Sequence, residues 1–235
     1  MTEVDMAQNT TATRKNTVVV GGSYGGLSIA HYLLRHVVPQ LPDKASHQIV
    51  LVSAASQVMC RPACPRALLS DDMFDQNKLF VSIPKVFELY PKGIFRFVQA
   101  TAIELDYINR NILISYTEGN TERIDYHALV IATGASTPSP LHGLNKDEEF
   151  LKTSWNEVRK VLSSIKSVVI AGGGPAGIET AGELGEYLNG CAGWFSSSLA
   201  NPKVAITVVN SGSDILPVLR PAIAGQAEKL LAKVE

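Results

Sequence analysis

The sequence predicts an α/β fold: two parallel strand–helix–strand units, the second incomplete, with an antiparallel β-meander inserted between them. Three observations predict it. Apolar β-branched runs at Thr17-Val18-Val19-Val20 and Val168-Val169-Ile170 each end in a glycine-rich turn, followed by residues of helical spacing. The two turns begin at Gly21 and Gly172, 151 residues apart, which marks an internal duplication. Between them, from Phe95 to Tyr126, the hydrophobic period changes to two.

Residues 1–16 are polar and read as a disordered tail. They lack the apolar stretch of a secretory signal, and Thr2 stands where N-myristoylation requires Gly. After Thr17–Val20, Leu27 to Val38 carries apolar residues on one helical face, and Pro39 and Pro42 close that helix. Ile49–Val52 is a second buried-type strand, apolar throughout as a parallel strand covered on both faces must be. Met59–Pro65 is irregular, and Asp71–Tyr90 is mixed and helical in part. Ala102–Asp106, Ile112–Tyr116 and Glu122–Asp125 read as antiparallel strands joined at Asn109-Arg110-Asn111 and Glu118-Gly119-Asn120. Leu129–Ala132 returns to the all-apolar type. Pro138 and Pro140 mark a linker, so one boundary is expected at 140. Ser154-Trp155-Asn156-Glu157 reads as a capping box opening a helix to Ile165. Val168–Ile170, Ile178–Leu188 and Val204–Val209 repeat the first pattern, with a small-residue insertion at Asn189–Pro202. Pro221–Glu235 reads as an amphipathic helix.

Composition narrows the function. Of the 235 residues, 46% are apolar and 18% charged, which excludes a disordered chain. A formal net charge of −1 leaves no electrostatic footprint for nucleic acid. Three cysteines, Cys60, Cys64 and Cys191, are too few for a disulfide framework and suit a reducing compartment, so a cytoplasmic location is expected, with the mitochondrion as the alternative. No stretch suffices for a transmembrane helix, although peripheral membrane contact stays open. The five histidines are scattered, and no metal site is expected.

Gly172-Gly173-Gly174-Pro175-Ala176-Gly177 fits G-x-G-x-x-G between a strand and a helix, the context in which that motif holds a dinucleotide. Gly172 permits the tight turn, Gly174 lets a pyrophosphate approach the backbone, and Gly177 lets helix and strand pack closely. The helix N-terminus offers N–H groups and a partial positive charge to the anion. In the first turn, Gly21-Gly22-Ser23-Tyr24-Gly25-Gly26, Ser23 occupies the second glycine position. Two such turns predict two Rossmann-like dinucleotide-binding units. A ribose-binding acid is expected at the end of each second strand, but Ser53 and Asn210 stand there, 27 residues past Gly26 and 33 past Gly177. Both can hydrogen-bond a ribose hydroxyl without charge assistance. With no acid to repel a 2′-phosphate and no adjacent Arg to attract one, these residues do not separate NADH from NADPH.

In VVVGGSYGGLSIA, CPRALL, AIELDYINRNILI, YHALVIATGAS, VVIAGGGPAGIETAGEL and AITVVNSGSDILP the chain resembles the N-terminal part of the AMID-like flavoprotein oxidoreductases, which are apoptosis-inducing-factor-homologous, ferroptosis-suppressor-like relatives of type II NADH dehydrogenases. The resemblance covers nearly all of residues 17–220. It implies that the first turn binds FAD pyrophosphate, which maps to Gly21, Gly22, Ser23, Tyr24 and Gly25, and that residues 17–140 form the FAD-binding domain. It implies that Arg66 contacts FAD, that Ala100 lies against the adenine, and that Ala132-Thr133-Gly134 closes the FAD domain. The second turn, with residues 141–235, then binds NAD(P)H, and Glu179 lies near where nicotinamide meets flavin as the one candidate catalytic residue. Members pass hydride from NAD(P)H to FAD and electrons on to a quinone or similar small-molecule acceptor. They also continue past this length with a Gly-Asp motif and an interface domain, so the chain reads as a truncated member.

The alternative from another class is a catalytically inactive dinucleotide-binding fragment or interaction module. A third reading, a disulfide reductase using Cys60 and Cys64, is disfavoured by three intervening residues and two flanking prolines. Trp194 and Phe195 are read as loop packing, ahead of an acceptor-side or partner patch.

Overall fold

The computed structural model describes residues 14–136, 139–143 and 147–234. In chain order the elements are β1 (Lys15–Val20), α1 (Tyr24–Tyr32), β2 (His47–Ser53), β3 (Gln57–Met59), α2 (Cys64–Leu69), β4 (Phe80–Ser82), α3 (Ile83–Phe87), β5 (Phe95–Gln99), β6 (Thr101–Asp106), β7 (Asn111–Ser115), β8 (Thr121–Asp125), β9 (Ala128–Ile131), α4 (Glu148–Leu162), β10 (Ser167–Ala171), α5 (Pro175–Asn189), β11 (Ala205–Val209) and α6 (Pro221–Leu231). They form two compact units. The first runs to Val58 and resumes from Val81 to Ala135; the second takes Met59–Phe80 and the chain from Ser136 onward. This differs from the single boundary expected at 140. The reason is α2, whose Ala67, Leu68 and Leu69 are buried in one core with Trp155, Ala181 and Leu184. Residues 1–13, with most of the expected tail, and Pro138 of the linker lie outside the described residues.

The first unit is built on a parallel sheet of order β5-β2-β1-β9, with Val19 opposite Leu51 and Val130. Lys15 and Asn16, assigned to the tail from the sequence, are the first ladder residues of β1, opposite His47 and Gln48. Alternation explains the all-apolar strands. Val18, Val20, Val50, Val52 and Val98 pack with Ile112, Ile114 and Ile124 of the meander β6-β7-β8. Val19, Ile49 and Leu51 pack on the other side with Ala30, Leu34, Ile83 and Phe87. β5 is a parallel strand of this sheet rather than part of the period-two meander. The helix after the first turn is α-helical only to Tyr32, then continues as a π-turn over Leu33–Val37 and a 3₁₀ turn over Val38–Gln40, where Pro39 ends the regular pattern.

The second unit pairs β10 and β11 in parallel, with Val169 opposite Thr207. Val168, Ile170, Ile206 and Val208 join the core around Trp155, whereas Val169 and Val209 on the opposite face are exposed. α4 starts about two turns earlier than the capping box predicted. Its cap is Asp147, whose carboxylate accepts from Phe150 N–H at 2.9 Å, and the Ser154 hydroxyl donates to Phe150 O within the helix. An Asp cap next to Glu148 and Glu149 also suits the positive end of the helix. Arg159 of α4 donates to the Leu68 and Ala67 carbonyls at the end of α2, which satisfies its terminal acceptors.

Candidate functional site: two equivalent glycine turns

In the first unit the candidate residues gather at the carboxyl ends of the parallel strands, where open α/β sheets bind ligands. Gly21 N–H donates to Val52 O at 2.8 Å and turns with φ +120°, a conformation side chains resist. A Cβ on Gly21 would lie 2.2 Å from Ala132 O, so the Ala132-Thr133-Gly134 segment closes directly over the turn. A Cβ on Gly26 would lie 1.7 Å from Gly21 O, which fixes how closely α1 approaches β1. Ser53 sits against Gly22; its buried hydroxyl donates to Ala55 O at 2.9 Å. Ala100, also buried, donates its N–H to Ser53 O at 2.9 Å. Ser23 is the N-cap of α1 and makes no side-chain capping bond, so its hydroxyl is not committed to the helix. Tyr24 and Gly25 form the first turn of α1, which carries no acidic residue to compete with a bound anion.

The second unit repeats this construction. Gly172 N–H donates to Val209 O at 2.8 Å with φ +123°. A Cβ on Gly177 would lie 1.9 Å from Gly172 O. Asn210 takes the position of Ser53, against Gly173, and its Nδ2 donates to Asp214 O at 2.7 Å. Gly174 is the N-cap of α5, and a Cβ there would meet nothing within 4 Å, which leaves room for a phosphate where the first turn has Ser23. Pro175 and Ala176 follow at the helix start, where proline sacrifices no helical hydrogen bond. α5 likewise has no acid in its first turn. Both turns therefore fit a pyrophosphate.

Two candidates lie on helices of the second unit. Glu179 is exposed on α5. Arg66 lies on α2 in the second unit, not among the first-unit candidates, and its guanidinium grips Glu183 with Nε–Oε2 at 2.9 Å and a second nitrogen on Oε1 at 2.7 Å. That bidentate pair raises the Arg66 pKa further. Glu183 lies one helical turn past Glu179 on α5. Among the thiols, Cys64 is buried, donates to Leu141 O at 3.2 Å and is pushed up to about 12 by desolvation, so it supplies no thiolate to Cys60. His142 faces the Thr180 hydroxyl of α5 at 3.4 Å, and burial lowers its pKa.

The loop reading of Trp194 and Phe195 is corrected: they are 92% and 101% exposed and pack on nothing. Sequence reasoning also missed Asn189, whose side chain bonds Val204 N–H, Val204 O and Val234 O. A polar residue at a helix end before a long insertion was the available signal.

Fold and turns define an α/β protein with two Rossmann-like units. The profile of the pyridine nucleotide-disulphide oxidoreductase family matches residues 15–235. The chain is 63% identical over 229 residues to oxidoreductase phnG of Penicillium herquei, covering 97% of this chain and 55% of that one. It is 29% identical over 191 residues to demethylphylloquinone reductase NdbB of Synechocystis, covering 76% and 45%, and 25% identical over 175 residues to human ferroptosis suppressor protein 1, covering 72% and 40%. Among solved structures, NDH2 of Plasmodium falciparum in complex with NADH superposes with a TM-score of 0.65 at 17% identity, over 94% of this chain and 47% of that one. The chain belongs to the pyridine nucleotide-disulphide oxidoreductase family, whose members are FAD- and NAD(P)H-dependent oxidoreductases. It spans about half the length of the curated relatives it matches.

Proposed function

We propose that this chain carries the FAD and NAD(P)H sites of an AMID-like flavoprotein that passes electrons from NAD(P)H through FAD to a quinone-type or other small acceptor. One observation carries the reading: two turns of the same backbone construction, 151 residues apart, each at the carboxyl end of a parallel strand and each opening a helix free of first-turn acids. A single turn would serve one nucleotide; two serve a donor and a resident acceptor. The names of two relatives, demethylphylloquinone reductase and external NADH-ubiquinone oxidoreductase, support a quinone as the final acceptor.

FAD, when bound, supplies the hydride-accepting chemistry. The protein's part is to hold and orient. Gly21, Gly22, Ser23, Tyr24, Gly25 and Gly26 would hold the FAD diphosphate, with Ser53 at the ribose, Ala100 at the adenine, and Thr133 and Gly134 over the turn. Gly172, Gly174, Pro175, Ala176 and Gly177 would hold the NAD(P)H diphosphate, with Asn210 at its ribose. Glu179 is the residue we assign beside the nicotinamide, and Arg66 the one we assign to FAD. In that assignment Arg66 keeps Glu183 as a counter-ion that fixes its guanidinium. We assign the protein to the cytoplasm, with the mitochondrion as the alternative, on the three free thiols of a chain without disulfides.

The test is direct. Purified protein is expected to be yellow, and NADH or NADPH is expected to bleach the flavin band anaerobically. A quinone is then expected to restore it. Colourless, folded protein whose melting temperature rises with NAD(P)H would sink the enzyme reading and leave a nucleotide-binding module.

A further inference from the structure

Beyond the nucleotide sites, the insertion between α5 and β11 is built to present something. Ser196 N–H donates to Gly193 O at 2.9 Å, which closes a β-turn with Trp194 and Phe195 at its two central positions. Both side chains are almost wholly in solvent, at 92% and 101% exposure. The loop behind them is fastened down. Ala192 N–H donates to Lys233 O at 2.8 Å and Leu199 N–H to Ala232 O at 2.9 Å, both at the end of α6. Asn189 ties the base of the loop to Val204 and Val234 with three bonds of 2.9–3.0 Å. An exposed aromatic pair on a frayed loop would be unremarkable; here the backbone is held, so the pair has a defined position.

We propose that residues 190–204 form a membrane-interface anchor in which Trp194 and Phe195 enter the headgroup zone of a lipid bilayer. Four features select a bilayer over a protein. The pair stands at the apex of a turn, flanked by exposed Gly193 and Ser196–Ser198, whereas protein hot spots sit inside a packed patch with an occluding rim. The one backbone bond across the apex, Ser196 N–H to Gly193 O, is kept on insertion, and the headgroup zone lies outside the water-free core, so the remaining apex groups stay hydrated. Residues 190–204 contain no carboxylate, and their one charge is Lys203, which suits a phosphate-bearing surface. Trp and Phe are also side chains that anchor peripheral proteins at that depth. Tyr187 on the last turn of α5 and Leu230 on the last turn of α6 add exposed apolar surface near the loop's attachment points. Among the described residues no helix is long and apolar enough to cross a membrane, so this is contact with one leaflet. The anchor lies at the end of α5 opposite Gly174, about 22 Å away for 15 residues at 1.5 Å each, so it does not compete with the nucleotide turn.

The chain carries its own probe. It has two tryptophans, and Trp155 is fully buried, so any lipid-induced change in emission reports Trp194. The full chain is mixed with large vesicles of phosphatidylcholine, and separately of phosphatidylcholine with an equal part of phosphatidylserine. Expected are a blue shift of the emission, quenching by brominated lipid, and co-sedimentation. Trp194→Ala/Phe195→Ala should lower the partition coefficient about ten-fold or more with an unchanged melting temperature, because neither side chain packs on the protein. Trp194→Phe should retain sedimentation while losing the spectral shift. No blue shift with either vesicle overturns the proposal. So does sedimentation that the double variant keeps, which would put membrane contact elsewhere. A blue shift that needs no lipid, grows with protein concentration and accompanies dimerisation would assign the pair to a second copy instead. None of these readouts depends on bound FAD or NAD(P)H, so they fail or succeed apart from the oxidoreductase reading.

Discussion

The two glycine turns have the same backbone and different foundations. At both, the first glycine sits near φ +120° and the sixth presses on the first glycine's carbonyl, so in each the helix is docked on its strand with no space for a methyl group. Beneath the first lies a four-stranded sheet covered on both faces; beneath the second lie two strands with one face bare. A strand–turn–helix corner is thus a local device that the chain forms wherever the residue pattern occurs. The depth of the sheet under it is a separate matter, set by how many other strands and helices arrive.

The largest effect is expected at the sixth glycine of each turn. Gly26→Ala and Gly177→Ala should each destabilise their own unit by about 3 kcal/mol or more, because the added carbon meets a backbone oxygen that cannot step aside. Denaturant unfolding, followed separately for each unit, measures this; a cost below about 1 kcal/mol at either site would mean the helix–strand docking is slack there. Next come the sheets themselves. Val19→Ala, in a fully buried position, should cost about 2 kcal/mol, while Val169→Ala, largely in solvent, should change stability by less than about 0.5 kcal/mol. Equal costs would contradict the bare face of the second sheet.

The residue at the helix cap separates folding from binding. Gly174→Ala meets no atom and has ordinary φ, so folding should change by less than about 1 kcal/mol. Binding of NAD(P)H, read by calorimetry, should nonetheless weaken about ten-fold, since the methyl group occupies the phosphate's approach. In the first turn Ser23→Gly should leave FAD affinity within about three-fold, because the serine hydroxyl replaces as a donor what its bulk takes away.

The smallest effect is a pH dependence, set in the second unit by His142. Burial holds the His142 pKa below its ordinary 6.5, so the fold favours the neutral ring. Between 6.5 and that lower value the unfolded chain binds the proton more readily. Stability should therefore fall as pH drops below about 6.5 and level off once the folded form also protonates. His142→Gln should flatten this part of the profile; an unchanged slope would assign it to other groups. His31 in the first unit, lowered by burial and by Arg35, acts with the same sign.

How much was legible follows from the range of each interaction. The glycine turns, the apolar strands and the meander turns at Arg110 and Gly119, with φ +56° and +89°, were readable because neighbours along the chain dictate them. The start of α4 was misread at Ser154: Asp147 caps the helix, with Glu148 and Glu149 in the first turn, and Ser154 is left bonding Phe150 O inside the helix. Arg66 illustrates the opposite limit. The family resemblance alone names it as a binding candidate, and its partner Glu183 is 117 positions away, where no local pattern names it.

By itself, then, the sequence determined the two turn-and-helix corners, their strand order in the chain and the residues lining them, because steric freedom at glycine and period-two or helical spacing act over a few residues. Tertiary structure alone decided that Met59–Phe80 joins the second unit, that Ser53 spends its hydroxyl on Ala55, and that Trp194 and Phe195 are left in water on a fastened loop. Those outcomes depend on which surfaces meet across long stretches of chain, and burial is settled only when they do.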